Sequence, residues 1–255
     1  MSQLDIIIPV YNEGENILPT LASLRDHVKT PCRVLICYDF AEDTTLAAIA
    51  DFGGLTLVPV LNRGRGAHGA VLTGFAESKA PAVIVMPADD DFNAHILDRM
   101  VALCRDGCDI VTANRFLPGG CMEGCPWLKG TLVRTSAFLL HHLARLPSSD
   151  PTSGFRLFSR RLLDTVVIES DTGFTYSLEL LVKAHRLGWR IGEVPARWYE
   201  RQHGQSRFRV LKWLPAYLRW FFYAFATTYL RPGPRSVLTK RVESVPDAAD
   251  EAAPL

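Results

Sequence analysis

Apolar runs and helix-spaced apolar positions alternate along the first half of the chain. Residues 4–10, 32–38, 56–61 and 82–86 are apolar runs that read as strands, and 110–113 is a further short one. Between them, 13–27 carries Ile17, Leu18, Leu21 and Leu24 at helical spacing, and 44–52, 70–78 and 94–104 read as helices. Strands bounded by helices and short links predict an α/β fold whose sheet is mostly parallel, with helices on both faces. Right-handed crossovers then bring the loops after the strands to one edge of that sheet.

The second half has a different pattern. Residues 116–127 form a Gly-, Pro- and Cys-rich loop, 131–146 an apolar helix, and 150–156 a turn signal ahead of a short strand. A helix is expected over 175–187, with Leu178, Leu181 and Val182 on one face. A strand at 190–194 and a basic loop at 198–209 follow. The stretch 211–230 is aromatic and aliphatic, and can be read as a last core helix, a membrane span or an interfacial helix. Pro215 and Arg219 interrupt it, and Trp and Tyr among basic residues favour a helix lying on a membrane surface. The expected organisation is one domain over 1–210, an interfacial helix over 211–230, and a disordered tail over 231–255, where Pro, Ala and acids dominate.

Formal charge is +1 and the pI is near 7.7, so bulk charge does not attract nucleic acid, and any affinity for phosphate must come from a local patch. The N-terminus runs straight into the first strand without a signal peptide, which predicts a cytoplasmic location. Six cysteines without a tight framework read as reduced thiols. The pairs Cys104/Cys108 and Cys121/Cys125 lack the usual CxxC spacing of a zinc site.

Candidate chemistry begins where the fourth strand ends in Asp89-Asp90-Asp91. Three crowded carboxylates repel unless a cation lies among them, and hard oxygen ligands suit Mg²⁺ or Mn²⁺ with a substrate diphosphate. Acids also favour helix N-termini, but two would suffice for a cap. Tyr11-Asn12-Glu13 follows the first strand, and Asp39 follows the second, where it could accept hydrogen bonds from a base or a ribose. Asp43 reads as a cap for the next helix. The Gly-rich turn 62–69 would let backbone N–H groups approach phosphate, with Arg63 and Arg65 adding charge.

That ordered set, with Ile7-Ile8-Pro9-Val10-Tyr11-Asn12-Glu13 at its head, resembles inverting glycosyltransferases of the GT-A fold, family 2. Asn114-Arg115-Phe116, Pro118-Gly119-Gly120, Asp150 through Arg156, Gly188 through Pro195 and Gly204-Gln205-Ser206-Arg207 are similar to the dolichyl-phosphate mannose synthase branch. The resemblance implies a nucleotide-diphosphate sugar donor, with mannose or glucose as the sugar, and a divalent metal. It also implies a polyprenyl-phosphate acceptor of dolichyl or undecaprenyl type, a peripheral place at the cytoplasmic face of a membrane, and an integral-membrane partner subunit. Carried onto this chain, Pro9, Tyr11, Glu13, Asp39, Arg63 and Gly66 would contact the donor. Asp89 and Asp91 would hold Mg²⁺ or Mn²⁺ and, with Arg115 and Arg201, form the catalytic set. Arg115, Arg134, Ser136, Arg201, Ser206 and Arg207 would hold the acceptor phosphate, with Arg156 a further candidate, because Arg forks match phosphate oxygens. Two departures stand out: Pro87 replaces the first acid of the usual Asp-Ala-Asp, and Tyr38 replaces the first of a doublet that leaves only Asp39. Alternatives are a nucleotidyltransferase, a glycosyltransferase with a non-lipid acceptor, and a non-catalytic nucleotide-sugar-binding protein.

Overall fold

A computed structural model describes residues 2–200 and 210–240. Among them nine strands form: β1 (Leu4–Pro9), β2 (Cys32–Tyr38), β3 (Thr56–Leu61), β4 (Ala82–Val85), β5 (Ile110–Asn114), β6 (Cys121–Glu123), β7 (Arg156–Ser159), β8 (Ile191–Pro195) and β9 (Arg197–Tyr199). Seven of them make one sheet in the order β3-β2-β1-β4-β7-β5-β8, while β6 and β9 pair separately. All pairings in the large sheet are parallel except those of β7, which runs antiparallel to both β4 and β5. The mostly parallel sheet expected from the sequence is therefore present, with one reversed strand inside it.

Helices cover both faces. Side chains alternate across the strands, so Ile6 and Ile8 join one core and Ile7 the other. The first core is closed by α1 (Leu18–His27) and α4 (Leu97–Arg105), through Leu21, Leu24, Leu97 and Met100. The second is closed by α3 (Gly66–Glu77), α6 (Arg160–Thr165) and α7 (Thr175–Arg186), through Val71, Phe75, Leu162 and Leu181. The short α2 (Thr44–Ile49) adds Ile49 to the first core.

Several boundaries differ from the sequence expectation. The helix foreseen over 13–27 opens as a 3₁₀ turn at Gly14–Ile17, where Gly14 has φ 55°, and becomes α-helical only from Leu18. The Gly-rich turn is half helix: α3 starts at Gly66, four residues before the expected start. α5 (Trp127–Phe138) also begins four residues early, directly after Pro126, and then widens into a π turn at Leu139–Leu143.

α8 (Val210–Tyr229) packs on α7 and buries Trp220, Ala224 and Thr227. Arg186 reaches from α7 to Thr227 Oγ1 at 2.9 Å and to the Ala224 carbonyl at 3.0 Å. Among the described residues no helix is long and apolar enough to cross a membrane. Residues 231–240, expected within a disordered tail, are instead fixed by contacts. Thr239 bridges Val166, Lys240 N–H donates to the Thr165 carbonyl at 2.7 Å, and Tyr223 Oη donates to the Ser236 carbonyl at 2.7 Å. The remainder of the expected tail, 241–255, lies outside the described residues.

Candidate active site

The carboxyl ends of β1 to β5 and of β8 share one edge, as parallel pairing requires. Because β7 is reversed, its first residue, Arg156, pairs with Val85 at the end of β4, so the loop before β7 reaches the same edge. β4 is thus a divide. The loops after β1, β2 and β3 lie to one side of it, and those of β7, β5 and β8 to the other.

On the first side the backbone is tied between loops. Asn12 adopts a left-handed φ of 52°, its N–H donates to Asp43 Oδ2 at 3.0 Å, and its side chain accepts from Thr44 N–H at 3.2 Å. Glu13 N–H donates to Thr45 Oγ1 at 3.1 Å. Asp43 also accepts from Thr45 N–H at 2.9 Å, the capping role expected of it. Pro9 ends β1, and exposed Tyr11 sets its ring edge-on to Phe40 at 5.4 Å. Asp39 accepts from Asn62 Nδ2 at 2.6 Å. The Asn62 side-chain oxygen accepts from Gly64 N–H at 2.8 Å, and its amide also donates to the Gly66 carbonyl at 3.2 Å. Asn62 therefore joins Asp39 to the Gly-rich turn. Gly66 is needed for its φ of 59°, whereas Gly64 and Gly69 are needed for closeness: a Cβ on Gly69 would meet Gly64 backbone at 2.8 Å. Arg63 turns along α3 to pair with Glu77, and Arg65 is exposed at the helix entrance.

The three acids separate into two roles. Asp90 accepts from Asn93 N–H at 3.0 Å, from Asn93 Nδ2 at 2.9 and 2.8 Å, and from Phe92 N–H at 3.2 Å. It shapes the loop. Burial pushes its carboxyl up to about 6 against the opposing pull of the Asn93 hydrogen bonds, with Asp89 adding to the rise. The loop backbone is pinned from α1, where Thr20 Oγ1 donates to the Ala88 carbonyl at 2.8 Å and Ser23 Oγ to the Asp91 carbonyl at 2.7 Å. Asp89 and Asp91 are exposed. Among the described residues no three His, Cys, Asp or Glu side chains converge on one point. Two exposed carboxylates on a pinned loop nonetheless fit a Mg²⁺-type ion, which takes one or two carboxylates and completes its shell with waters and phosphate oxygens. All six cysteines are free thiols.

On the other side of β4 the motif residues form one network. Arg115 pairs with Asp150, donates to Thr152 Oγ1 at 2.9 Å, and packs its guanidinium against the Phe116 ring at 5.5 Å. Burial pushes the Asp150 carboxyl up, but Arg115 more than offsets this and holds it below the usual carboxylate range. Glu193 accepts from Asn114 Nδ2 at 2.8 Å, Ser148 Oγ at 2.6 Å and Ser149 N–H at 3.2 Å. Arg156 is fully buried and bonded to Thr112, Ser177 and the Asp150 carbonyl. It braces the sheet and is not placed to bind a phosphate, a correction to its candidacy. Arg115 is nearer the site but is already neutralised by Asp150. Arg134 is exposed on α5, where a cavity of about 190 Å³ opens between that helix and Phe116 and Ser149, with His141 and His142 on the same wall. Ser136 is half-buried on α5. Arg201, Ser206 and Arg207 lie outside the described residues. The residue before them, Glu200, is fixed to Lys129 of α5 at 2.8 Å.

Three residues had gone unassigned from the sequence. Asn62 links Asp39 to the Gly-rich turn, Glu193 gathers the loop around 148–150, and Asn93 joins Asp90 to Arg197 of β9 through its carbonyl at 2.7 Å and its N–H at 2.9 Å. Asn62 lies just beyond β3 and Asn93 just after the acidic run, a signal the sequence offers, whereas Glu193 lies within β8 and carries none.

The model of glycosyl transferase family 2 matches residues 5–167. The chain is 28% identical to the polyprenol monophosphomannose synthase of Mycolicibacterium smegmatis over 228 residues, covering 82% of this chain and 85% of that protein. It is 31% identical to the undecaprenyl-phosphate mannosyltransferase of Micrococcus luteus over 214 residues, 79% of this chain and 85% of that one. A solved structure of glucosyl-3-phosphoglycerate synthase from Mycobacterium tuberculosis, bound to Mn²⁺, UDP and glucosyl-3-phosphoglycerate, superposes with a TM-score of 0.63 at 18% identity, over 89% of this chain and 80% of that one. That likeness establishes a shared GT-A fold.

Proposed function

Because this chain belongs to glycosyl transferase family 2, we propose that it moves a sugar, mannose by analogy with its relatives, from a nucleotide-diphosphate donor to a polyprenyl phosphate with inversion. The observation that carries the reading is the placement of Asp89 and Asp91 at the end of β4, between the Asp39 and Gly-rich loops and the Arg115–Asp150 network. An anionic donor on one side and an anionic acceptor on the other would meet at those two acids.

A phosphate monoester is close to doubly charged at neutral pH, since its second pKa is about 6, so the acceptor oxygen is a nucleophile without a protein base. The protein's task is to hold two anions in line across the anomeric carbon. Asp39, oriented by Asn62, suits a nucleoside hydroxyl or base N–H, and the first turn of α3 presents backbone N–H groups to phosphate. Asp89 and Asp91 would hold Mg²⁺ or Mn²⁺, which supplies charge neutralisation on the departing diphosphate. Arg134 and Ser136 on α5, with Arg201, Ser206 and Arg207, are the acceptor-phosphate candidates. Arg115 contributes through the fixed Asp150 loop and its remaining guanidinium face. The protein would meet its lipid acceptor as a peripheral membrane protein on the cytoplasmic face.

Acceptor competition tests this. With one labelled donor, short-chain polyprenyl phosphate should be glycosylated, while water-soluble phosphates such as 3-phosphoglycerate should neither accept sugar nor inhibit at equal concentration. Sugar transfer to the soluble acceptor alone would remove the lipid assignment.

A further inference from the structure

Among the described residues, ten of the fourteen exposed large apolar side chains lie on two stretches, the α5–π segment and Leu214 to Leu230. On α5, Trp127, Leu128, Leu132 and Phe138 fall within one face at 100° per residue, and Trp127 is 80% exposed. Exposed Arg134 flanks that ridge. On α8, Leu214, Leu218 and Phe222 recur at four-residue spacing, opposite the side that buries Trp220 and Ala224. The two stripes adjoin at Leu143 and Tyr229, where Tyr229 Oη donates to the Leu143 carbonyl and Thr228 Oγ1 to the Ala144 carbonyl at 2.8 Å.

The charge pattern follows the same division. Segments 124–149 and 210–240 carry eight of the 28 Lys and Arg residues and none of the 27 Asp and Glu residues. A chain that is nearly neutral overall is therefore basic along the stretches that carry its apolar ridges, and net acidic over the rest of its length.

We propose that α5 and α8 together form one membrane-binding face, seated at the headgroup level of an anionic leaflet with the Trp127 ridge of α5 inserted. The ridge is too short and too flanked by charge to span, and an indole on a helix that also carries Lys129 and Arg134 suits the interface between water and hydrocarbon. Exposed Arg134 on the same helix attracts anionic headgroups. A second copy of this chain would set one net-basic face against another, and the like charges would oppose that pairing. The inference deepens the lipid-acceptor reading and rests on it for its purpose, since it would place the Arg134 cavity next to the lipid.

Cosedimentation of the full chain with vesicles tests it, comparing neutral phosphatidylcholine with phosphatidylcholine containing about 30% phosphatidylglycerol. Wild type should bind the anionic vesicles about tenfold or more tightly, and the triple variant Trp127→Ser, Leu128→Ser, Leu132→Ser should lose about tenfold or more of that affinity, with Tm and nucleoside-diphosphate binding unchanged. Equal binding by the variant, or indifference to lipid charge, overturns the proposal. So does a wild-type dimer in sedimentation that the variant abolishes, which would make the face a contact between copies. Retained vesicle binding that appears only with a co-expressed integral-membrane protein overturns it in favour of a protein partner. Transfer to short-chain polyprenyl phosphate in detergent reads the acceptor assignment separately. If wild type fails there but binds vesicles, the acceptor reading falls and the membrane face stands.

Discussion

Arg115 and Asp150 form a two-pronged ion pair, Nε to Oδ2 at 2.7 Å and Nη2 to Oδ1 at 2.8 Å, with the carboxylate buried. The pair links the end of β5 to the loop before β7. Removing one partner of such a pair leaves an uncompensated charge, which costs about 3–5 kcal/mol. Asp150→Ala should therefore lower the urea midpoint strongly. Arg115→Lys, which keeps the charge but loses the fork, should lower it less. Equal midpoints for wild type and Asp150→Ala would show that the pair does not hold this loop.

Asp90 gives a pH signature. Its folded-state value of about 6 lies above the ordinary 3.8, so the folded chain holds the proton more tightly than the unfolded one. Its contribution to stability is present below about pH 4 and is lost as pH rises through about 6. In Asp90→Asn that component of the slope should vanish. Melting temperatures of the two proteins across this window check it: the variant should gain on wild type as pH rises, and parallel curves would contradict the assignment.

Gly69→Ala tests the Gly-rich turn. The added Cβ would meet Gly64 Cα at 2.8 Å and Asn62 Oδ1 at 2.9 Å, neither of which can retreat without opening the turn. A loss of about 1–3 kcal/mol in stability is expected from overpacking. Nucleoside-diphosphate affinity, read by calorimetry, should fall as well, because Asn62 also holds Asp39. Unchanged affinity would place the nucleotide elsewhere.

Most of the sheet was legible because its strands are apolar on both faces, as Ile6, Ile7 and Ile8 show by entering two different cores. The reversal of β7 was not, since four residues that include a buried Arg156 carry no mark of direction until they pair with β4 and β5. Glycines hid the start of α3: a run rich in them reads as a turn, although Gly66 supplies only the entry conformation. In the site, the acids could be read because they follow an apolar run directly. Asn62 and Asn93 could not, because what defines them is contact with Asp39 and Arg197, 23 and 104 residues away. Arg156 looked like a phosphate ligand for the same reason in reverse, its partners being distant in sequence and buried.

The two exposed acids should be separable from the structural one. Asp89→Asn and Asp91→Asn are expected to lower metal-dependent turnover by about a hundredfold or more, as loss of charge stabilisation at a reacting group does. Their melting temperatures should stay near wild type, because both carboxylates are exposed. Added EDTA should abolish wild-type turnover, and excess Mg²⁺ or Mn²⁺ should restore it. Full activity of either variant, or in EDTA, would remove the metal assignment.

The most direct measurement is product analysis with nucleotide-linked sugars, GDP-mannose and UDP-glucose among them, and a short-chain polyprenyl phosphate in the presence of Mg²⁺ or Mn²⁺. The account predicts one lipid-linked sugar per nucleoside diphosphate released, with the anomeric configuration inverted relative to the donor when read by NMR. Release of pyrophosphate, retention of configuration, or no lipid-linked product with any donor would contradict it.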